Sequence, residues 1–208
     1  MNYNFHRMFV LICFVVAGLS SNAAAFDHED DVSGLPAAIS RFYSPFIEQD
    51  RSSFNAIARR TFSRFGVPRV SSVKGHRHSG IDLQGKMSQQ VYAVAPGRVV
   101  AVYWPFPNRA VAIVHRMPDD TPIYSAYVHI EDITVKPGDV VNENNSLGRI
   151  FNQKEMKRSR FGTPHVHLEI RKNMKDEGQR SYTAMTISAL EEYCIDPFAF
   201  LQRQMRQP

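Results

Sequence analysis

The chain has 208 residues, 43% hydrophobic and 22% charged, with 11 glycines, 12 prolines, two cysteines and a formal net charge of +5. That mix fits one globular domain with an accessory segment and excludes collagen-like, disulfide-dense and wholly disordered chains. The basic balance is a poor guide to partners: the cations are spread along the chain without a recognition motif, so no nucleic-acid partner is expected.

Arg7 is the only charge in the first 25 residues, Met8 to Leu19 is a 12-residue apolar run, and Ala23-Ala24-Ala25 supplies small residues for a signal peptidase. Residues 1–25 therefore read as a secretory signal cleaved after Ala25. The alternative, an uncleaved anchor, needs roughly 20 apolar residues, and the stretch from Ser20 ends the run early. The expectation is an exported protein, periplasmic or extracellular at the cell wall, with no stable membrane insertion after cleavage. Losing Arg7 and no acid leaves 24 basic and 20 acidic side chains, a net of +4, and one cysteine, Cys194. A single thiol forms no internal disulfide, so stability must come from the core or from a bound ligand such as a metal. Cys194, between Tyr193 and Ile195, reads as a small buried residue.

Residues 26 to about 37 open with Asp27, Glu29, Asp30 and Asp31 and read as an acidic tail. From Pro45 to Gly66, Phe46, Ile47, Phe54, Ile57, Ala58, Phe62 and Phe65 recur at helical spacing before the stop Gly66-Val67-Pro68, which predicts one or two amphipathic helices. The chain thus divides into the signal (1–25), an acidic tail and helical lead (26–68), and the domain proper (69–208). The lead is placed to gate a groove or to buttress the domain.

Beyond Val70 the pattern changes to short β-branched and aromatic runs. Strands are predicted over Val91–Val94, Arg98–Trp104, Arg109–His115, Ile123–Ile130, Leu147–Phe151 and His165–Arg171. Ala95-Pro96-Gly97, Pro118-Asp119-Asp120 and Val135-Lys136-Pro137-Gly138-Asp139-Val140-Val141 supply turns. Six strands without intervening helical patterns predict a mainly β, antiparallel domain. Asp196-Pro197 before Phe198-Ala199-Phe200-Leu201 is an N-cap with proline at the first helical position, so a short helix should close the chain.

Two segments carry the chemistry. Gly75-His76-Arg77-His78-Ser79-Gly80-Ile81-Asp82 sets a histidine and a carboxylate four apart. Gly162-Thr163-Pro164-His165-Val166-His167-Leu168-Glu169-Ile170 sets two histidines two apart on a strand. Alternation there sends His165, His167 and Glu169 to one face and Val166, Leu168 and Ile170 to the other. Imidazole and carboxylate are the usual ligands of catalytic zinc, which takes three protein ligands and leaves a position for water. A His-x-His on a strand is a surface feature about as often as a metal site, and His-x-x-x-Asp is commoner still as coincidence; together, each beside glycine in an exported β-rich chain, they point to zinc.

From about Val70 to Ile170 the chain resembles the lysostaphin-type and LytM-type zinc peptidases, which cut peptide cross-bridges in bacterial cell walls. The resemblance rests on His78-Ser79-Gly80-Ile81-Asp82, Val91 to Val100, Tyr127-Val128-His129, Val135 to Val141 and Pro164-His165-Val166-His167-Leu168-Glu169, in that order. It implies an antiparallel β-sheet domain with an open groove, one Zn2+ per chain held by His78, Asp82 and His167, and two catalytic histidines, His129 and His165, that are not ligands. The implied substrate is the peptide part of peptidoglycan, either cross-links or stem peptides. Zinc lowers the pKa of its water from about 15.7 to near 7. His165 and His129 are left to move the proton or to steady an oxyanion, their division of labour open. The helical His-Glu-x-x-His motif does not occur, so histidine must take the place of its glutamate base.

Glu169 is expected behind a ligand rather than on the metal. His115 is expected to be structural, His76 to lie near the site, and His28 to lie in the tail. Phe151 to Phe161, polar and basic, departs from the family's glycine-rich turn and is expected to form a loop at the groove edge. Lys172 to Ser181 is a polar insert without an assigned role. A competing reading makes the domain a non-catalytic wall-binding or hydrolase-activating module that uses the same groove.

Overall fold

The β-branched and aromatic runs form the strands predicted for them, in a computed structural model that describes residues 34–35, 38–70, 74–174 and 186–206. The predicted signal, His28, most of the acidic tail and most of the Lys172 to Ser181 insert lie outside the described residues. The elements in chain order are α1 (Phe54–Ala58), β1 (Thr61–Ser63), β2 (Ile81–Gln84), β3 (Gln90–Tyr92), β4 (Gly97–Tyr103), β5 (Ala110–Arg116), β6 (Pro122–Val128) and β7 (Ile130–Glu131). They continue with β8 (Val140–Val141), β9 (Ser146–Ile150), α2 (Gln153–Ser159), β10 (His165–Arg171), α3 (Ile187–Tyr193), β11 (Cys194–Ile195) and α4 (Pro197–Gln204). Among the described residues no helix is long and apolar enough to cross a membrane.

The larger sheet runs β1-β2-β10-β6-β5-β4-β8, with β11 also paired to β10, and every pairing is antiparallel. A smaller sheet, β3-β9-β7, stands beside it. Strand alternation gives the larger sheet two different faces. Ile81, Leu83, Val111, Ile113, Tyr127, Val166, Leu168 and Ile170 point to the main core, where Phe42, Phe46, Phe54, Ile57, Phe200 and Leu201 meet them. On the opposite face Val100, Ala112, Val114, Tyr124, Ala126 and Met174 form a smaller cluster with Leu35. As predicted, Asp196 caps α4 by accepting from the backbone N–H groups of Phe198 and Ala199, with Pro197 at the first helical position.

The lead differs from the helix predicted over Pro45 to Gly66. Only Phe54–Ala58 is helical, begun by the Ser53 side chain, and Thr61–Ser63 is instead an edge strand on β2. Tertiary pairing overrides the helical spacing. Residues 38–46 form a non-helical strap, with Ile39 N–H donating to Arg116 O, Tyr43 N–H to Val94 O, and Tyr92 N–H to Pro45 O. Phe42 and Phe46 are buried from this strap while Ile47, expected on the apolar face, is left 55% exposed.

The expected loop over Phe151 to Phe161 is in fact mostly α2. Asn152 accepts from the N–H groups of Lys154 and Glu155, and Glu155 returns a bond to the Asn152 N–H, a reciprocal cap that starts a helix in a polar sequence. Arg160 then takes a left-handed conformation, φ 63°, and ends it.

His115 is fully buried and structural, as expected. Its Nδ1–H donates to Pro96 O at 2.8 Å and its Nε2 lies 2.7 Å from Ser125 Oγ, which in turn bonds Tyr127. Burial pushes its pKa down to about 4, against the opposing bond to Pro96. The unfolded histidine titrates near 6.5. Between those values the unfolded chain binds a proton that the folded chain refuses, so stability falls as pH drops from 6.5 toward 4. From pH 7 to pH 5 this residue removes about 2 kcal/mol. Urea unfolding at the two pH values should show His115→Gln losing about 2 kcal/mol less than the wild type on acidification; equal losses would refute the assignment.

Candidate metal centre

His165, His167, Glu169 and Arg171 follow one another along the face of β10 that looks away from the main core, as alternation predicts. The central position of β10 supplies the rest. Its register sets His167 opposite Asp82 of β2 on one side and opposite Val128 of β6 on the other, one residue before His129. His78 comes from the turn ahead of β2. Gly80 allows that turn to lie against β10, since a Cβ there would stand 2.3 Å from the Leu168 carbonyl oxygen.

His78 Nε2, His167 Nδ1 and Asp82 Oδ1 converge. The separations are 2.8 Å between the two nitrogens, 3.1 Å from His78 to Asp82 and 3.0 Å from His167 to Asp82. All three residues are buried. The outer nitrogen of each ring is already engaged: His78 Nδ1–H donates to Arg64 O at 2.7 Å, and His167 Nε2–H to Glu169 Oε1 at 2.9 Å. Those bonds turn the lone pairs of the inner nitrogens toward Asp82. Three acceptors facing one another require a cation or a proton between them. Burial disfavours charge on His167, but Asp82 and Glu169 on its two nitrogens outweigh it and hold its pKa up at about 9. One proton there bonds only one of the acceptors, whereas a divalent cation would satisfy all three. Two imidazole nitrogens and one carboxylate oxygen with an open side match the donor set of a zinc site, so the three residues can hold a metal ion.

A second layer fixes these groups. Glu169 is fully buried and takes, besides His167, the Ser79 hydroxyl at 2.6 Å and Arg171 Nε at 2.6 Å. It therefore stands behind His167, as expected, and not among the converging atoms. The guanidinium of Arg69 donates to Asp82 Oδ2, the oxygen turned away from the two histidines.

His129 and His165 stand beside this centre with ring centroids 5.2 Å apart, and His129 is 6.1 Å from His167. His129 joins β6 to β7 in a left-handed conformation, φ 66°, unusual for a residue with a side chain. Its Nδ1–H donates to Pro107 O at 2.9 Å and that of His165 to Thr163 O at 2.7 Å, so both rings keep a bare Nε2. Desolvation lowers the pKa of both; for His129 the charges of His165 and His167 add to it. Both are neutral bases at neutral pH.

An aromatic wall borders them. Phe161 packs 4.6 Å from His129 and 5.3 Å from His165 and stacks on Phe151, which stacks on Phe106; Phe62 meets His165 edge-on at 5.5 Å. Helix α2, with Lys154, Lys157 and Arg158 exposed, carries Phe161 into place. The fold brings the five candidate residues and Glu169 together. Arg69 and the contacts of Phe62 and the phenylalanine stack with the histidines carry no motif in the sequence. His76 is half-buried nearby, and His115 is remote, on the face toward the main core.

The fold has solved counterparts. The antimicrobial peptidase lysostaphin from Staphylococcus simulans aligns with a TM-score of 0.51 at 17% identity, covering 83% of this chain and 58% of that one. Its catalytic domain aligns at 0.46 and 19% identity, covering 67% of this chain and 89% of that one. A zinc-containing peptidase from Vibrio cholerae aligns at 0.45 and 22% identity, covering 70% of this chain and 40% of that one. A comparison with curated proteins returns no match. Residues 76–179, half of the chain, match the model of peptidase family M23, and they contain both histidine segments and His129. The chain belongs to peptidase family M23.

Proposed function

We propose that this protein is a zinc-dependent endopeptidase that hydrolyses peptidoglycan peptides outside the cytoplasm, after removal of residues 1–25. The observation that carries this reading is the triangle of three buried acceptors, His78, Asp82 and His167, with both outer ring nitrogens already fixed. These three residues would hold the metal. When bound, zinc supplies a Lewis acid that brings the pKa of water toward about 7 and polarises a carbonyl.

The chain's own residues do the rest. His165 and His129 keep bare Nε2 atoms on rings anchored through Nδ1. A neutral base takes the proton of the attacking water and returns it to the departing amine. The imidazolium formed by that transfer stabilises the developing oxyanion until it gives the proton up. The Phe62, Phe106, Phe151 and Phe161 surfaces exclude water from one side and give a peptide an apolar wall. Residues 38–58 act as a buttress, since Phe42, Phe46, Phe54 and Ile57 belong to the same core as the strands.

Purified protein loaded with zinc should release new peptide termini from peptidoglycan, seen by mass spectrometry, and a chelator should stop it. His167→Ala should lose both zinc and cleavage. His129→Ala should keep near-stoichiometric zinc while kcat falls about 10²- to 10³-fold. Stoichiometric zinc without any released termini would defeat the catalytic reading and leave a non-catalytic wall-binding or hydrolase-activating module.

Glu169→Ala tests the second layer. It strips His167 of its outer partner and leaves the buried Arg171 guanidinium without its carboxylate. The metal-free variant should lose about 3–5 kcal/mol in urea unfolding, and zinc affinity should fall about 10- to 100-fold in a chelator competition. A loss under 1 kcal/mol would show that the buried pair is not holding the strand face together.

A further inference from the structure

Arg69 lies outside the family match, on a segment the motifs do not cover. Gly66 to Arg69 run antiparallel to His76 to His78 as a small ribbon, with Gly66 N–H donating to His78 O, His78 N–H to Val67 O, and Arg69 N–H to His76 O. The ribbon carries the Arg69 side chain over the metal centre, where one N–H group holds Asp82 Oδ2. The Arg69 side chain is 30% exposed and that of Asp82 only 4%, so Arg69 links the buried ligand set to solvent. A guanidinium has five N–H donors in a planar fork, and one of them on Asp82 leaves the others for a second acceptor.

The charges around the centre point the same way. Asp82 is matched by Arg69 and Glu169 by Arg171, so each carboxylate of the site already faces a guanidinium. A divalent metal entering this set finds its two charges uncompensated. A partly desolvated positive centre attracts anions, and a fork with free donors selects those with carboxylate geometry.

We propose that Arg69 is a specificity-determining residue that binds a free carboxylate of the substrate beside the metal centre, while its other edge holds Asp82 in place. The ligand class is a peptide with an ionised carboxyl group close to the scissile bond. This rests on the zinc-peptidase reading above, but its test does not depend on cleavage.

The probe pair is N-acetylglycylglycine and its C-terminal amide, titrated into the zinc-loaded protein by calorimetry at low salt. The wild type should bind the acid about tenfold or more tighter than the amide, the range expected for a charge-assisted hydrogen bond. In Arg69→Gln the ratio should fall to near one. In Arg69→Lys, which keeps the charge and loses the fork, it should be intermediate. Zinc content and circular dichroism of each variant establish that the site and fold are intact. Equal binding of acid and amide by the wild type, or an undiminished ratio in Arg69→Gln, overturns the proposal. A parallel digestion compares muropeptides with free carboxyl groups and the same muropeptides after carboxyl amidation, and the free form should be cut faster. If the wild type cuts neither while the binding ratio behaves as stated, the peptidase reading fails and the carboxylate site stands.

Discussion

Three ligand atoms aimed at one point, 2.8 to 3.1 Å apart, form the constraint on which the rest of this molecule depends. Without a metal, the proton that Asp82 and Glu169 hold on His167 relieves only one of these contacts, and water cannot relieve the others because all three residues are buried. The fold spends a central strand, a glycine turn and a second layer of ion pairs on keeping them there. Glu169 and the Arg64 carbonyl fix the ring tautomers, Ser79 and Arg171 fix Glu169, and Arg69 fixes the far oxygen of Asp82. A metal centre of this kind is stiff before any ion arrives, so little reorganisation is required on binding.

The two faces of the larger sheet divide the labour. Val166, Leu168 and Ile170 bury themselves in the main core, which locks the register of β10, and that register alone places His165 and His167. A one-residue slip would turn both histidines into the core and expose the valine and leucine. The apolar residues of β10 therefore position the chemistry even though none of them touches it.

Periodicity of two was easy to read, and so was nearly everything built on it: the main strands, the histidine face of β10, and the turn ahead of β2 with its ligand pair. The closing helix was readable from Asp196 and Pro197 because capping is a local rule. Misreadings arose where distant pairing decided the outcome. Phe46, Phe54, Ile57 and Phe62 are spaced like a helix, yet the hydrogen-bonding edges of Val94, Arg116 and β2 draw the chain around them into strap and strand. Helix α2 was a different failure, since its Asn152 and Glu155 cap was present in the sequence and was outweighed by the polarity of what followed. Arg69 could not have been found, because a lone arginine in a turn carries no pattern; only the ribbon brings it to Asp82.

The strap over residues 38–46 also bears on how the chain reaches this state. It precedes its partners in the chain: Tyr43 waits for Val94 and Ile39 for Arg116, both more than 50 positions downstream. Until those strands exist, Phe42 and Phe46 have no core to enter. Synthesis at about 5–20 residues per second leaves such a segment uncovered for several seconds, and closing so long a loop is slow in itself. The same contacts that weld the lead to the domain therefore tie completion of the core to the arrival of its middle strands.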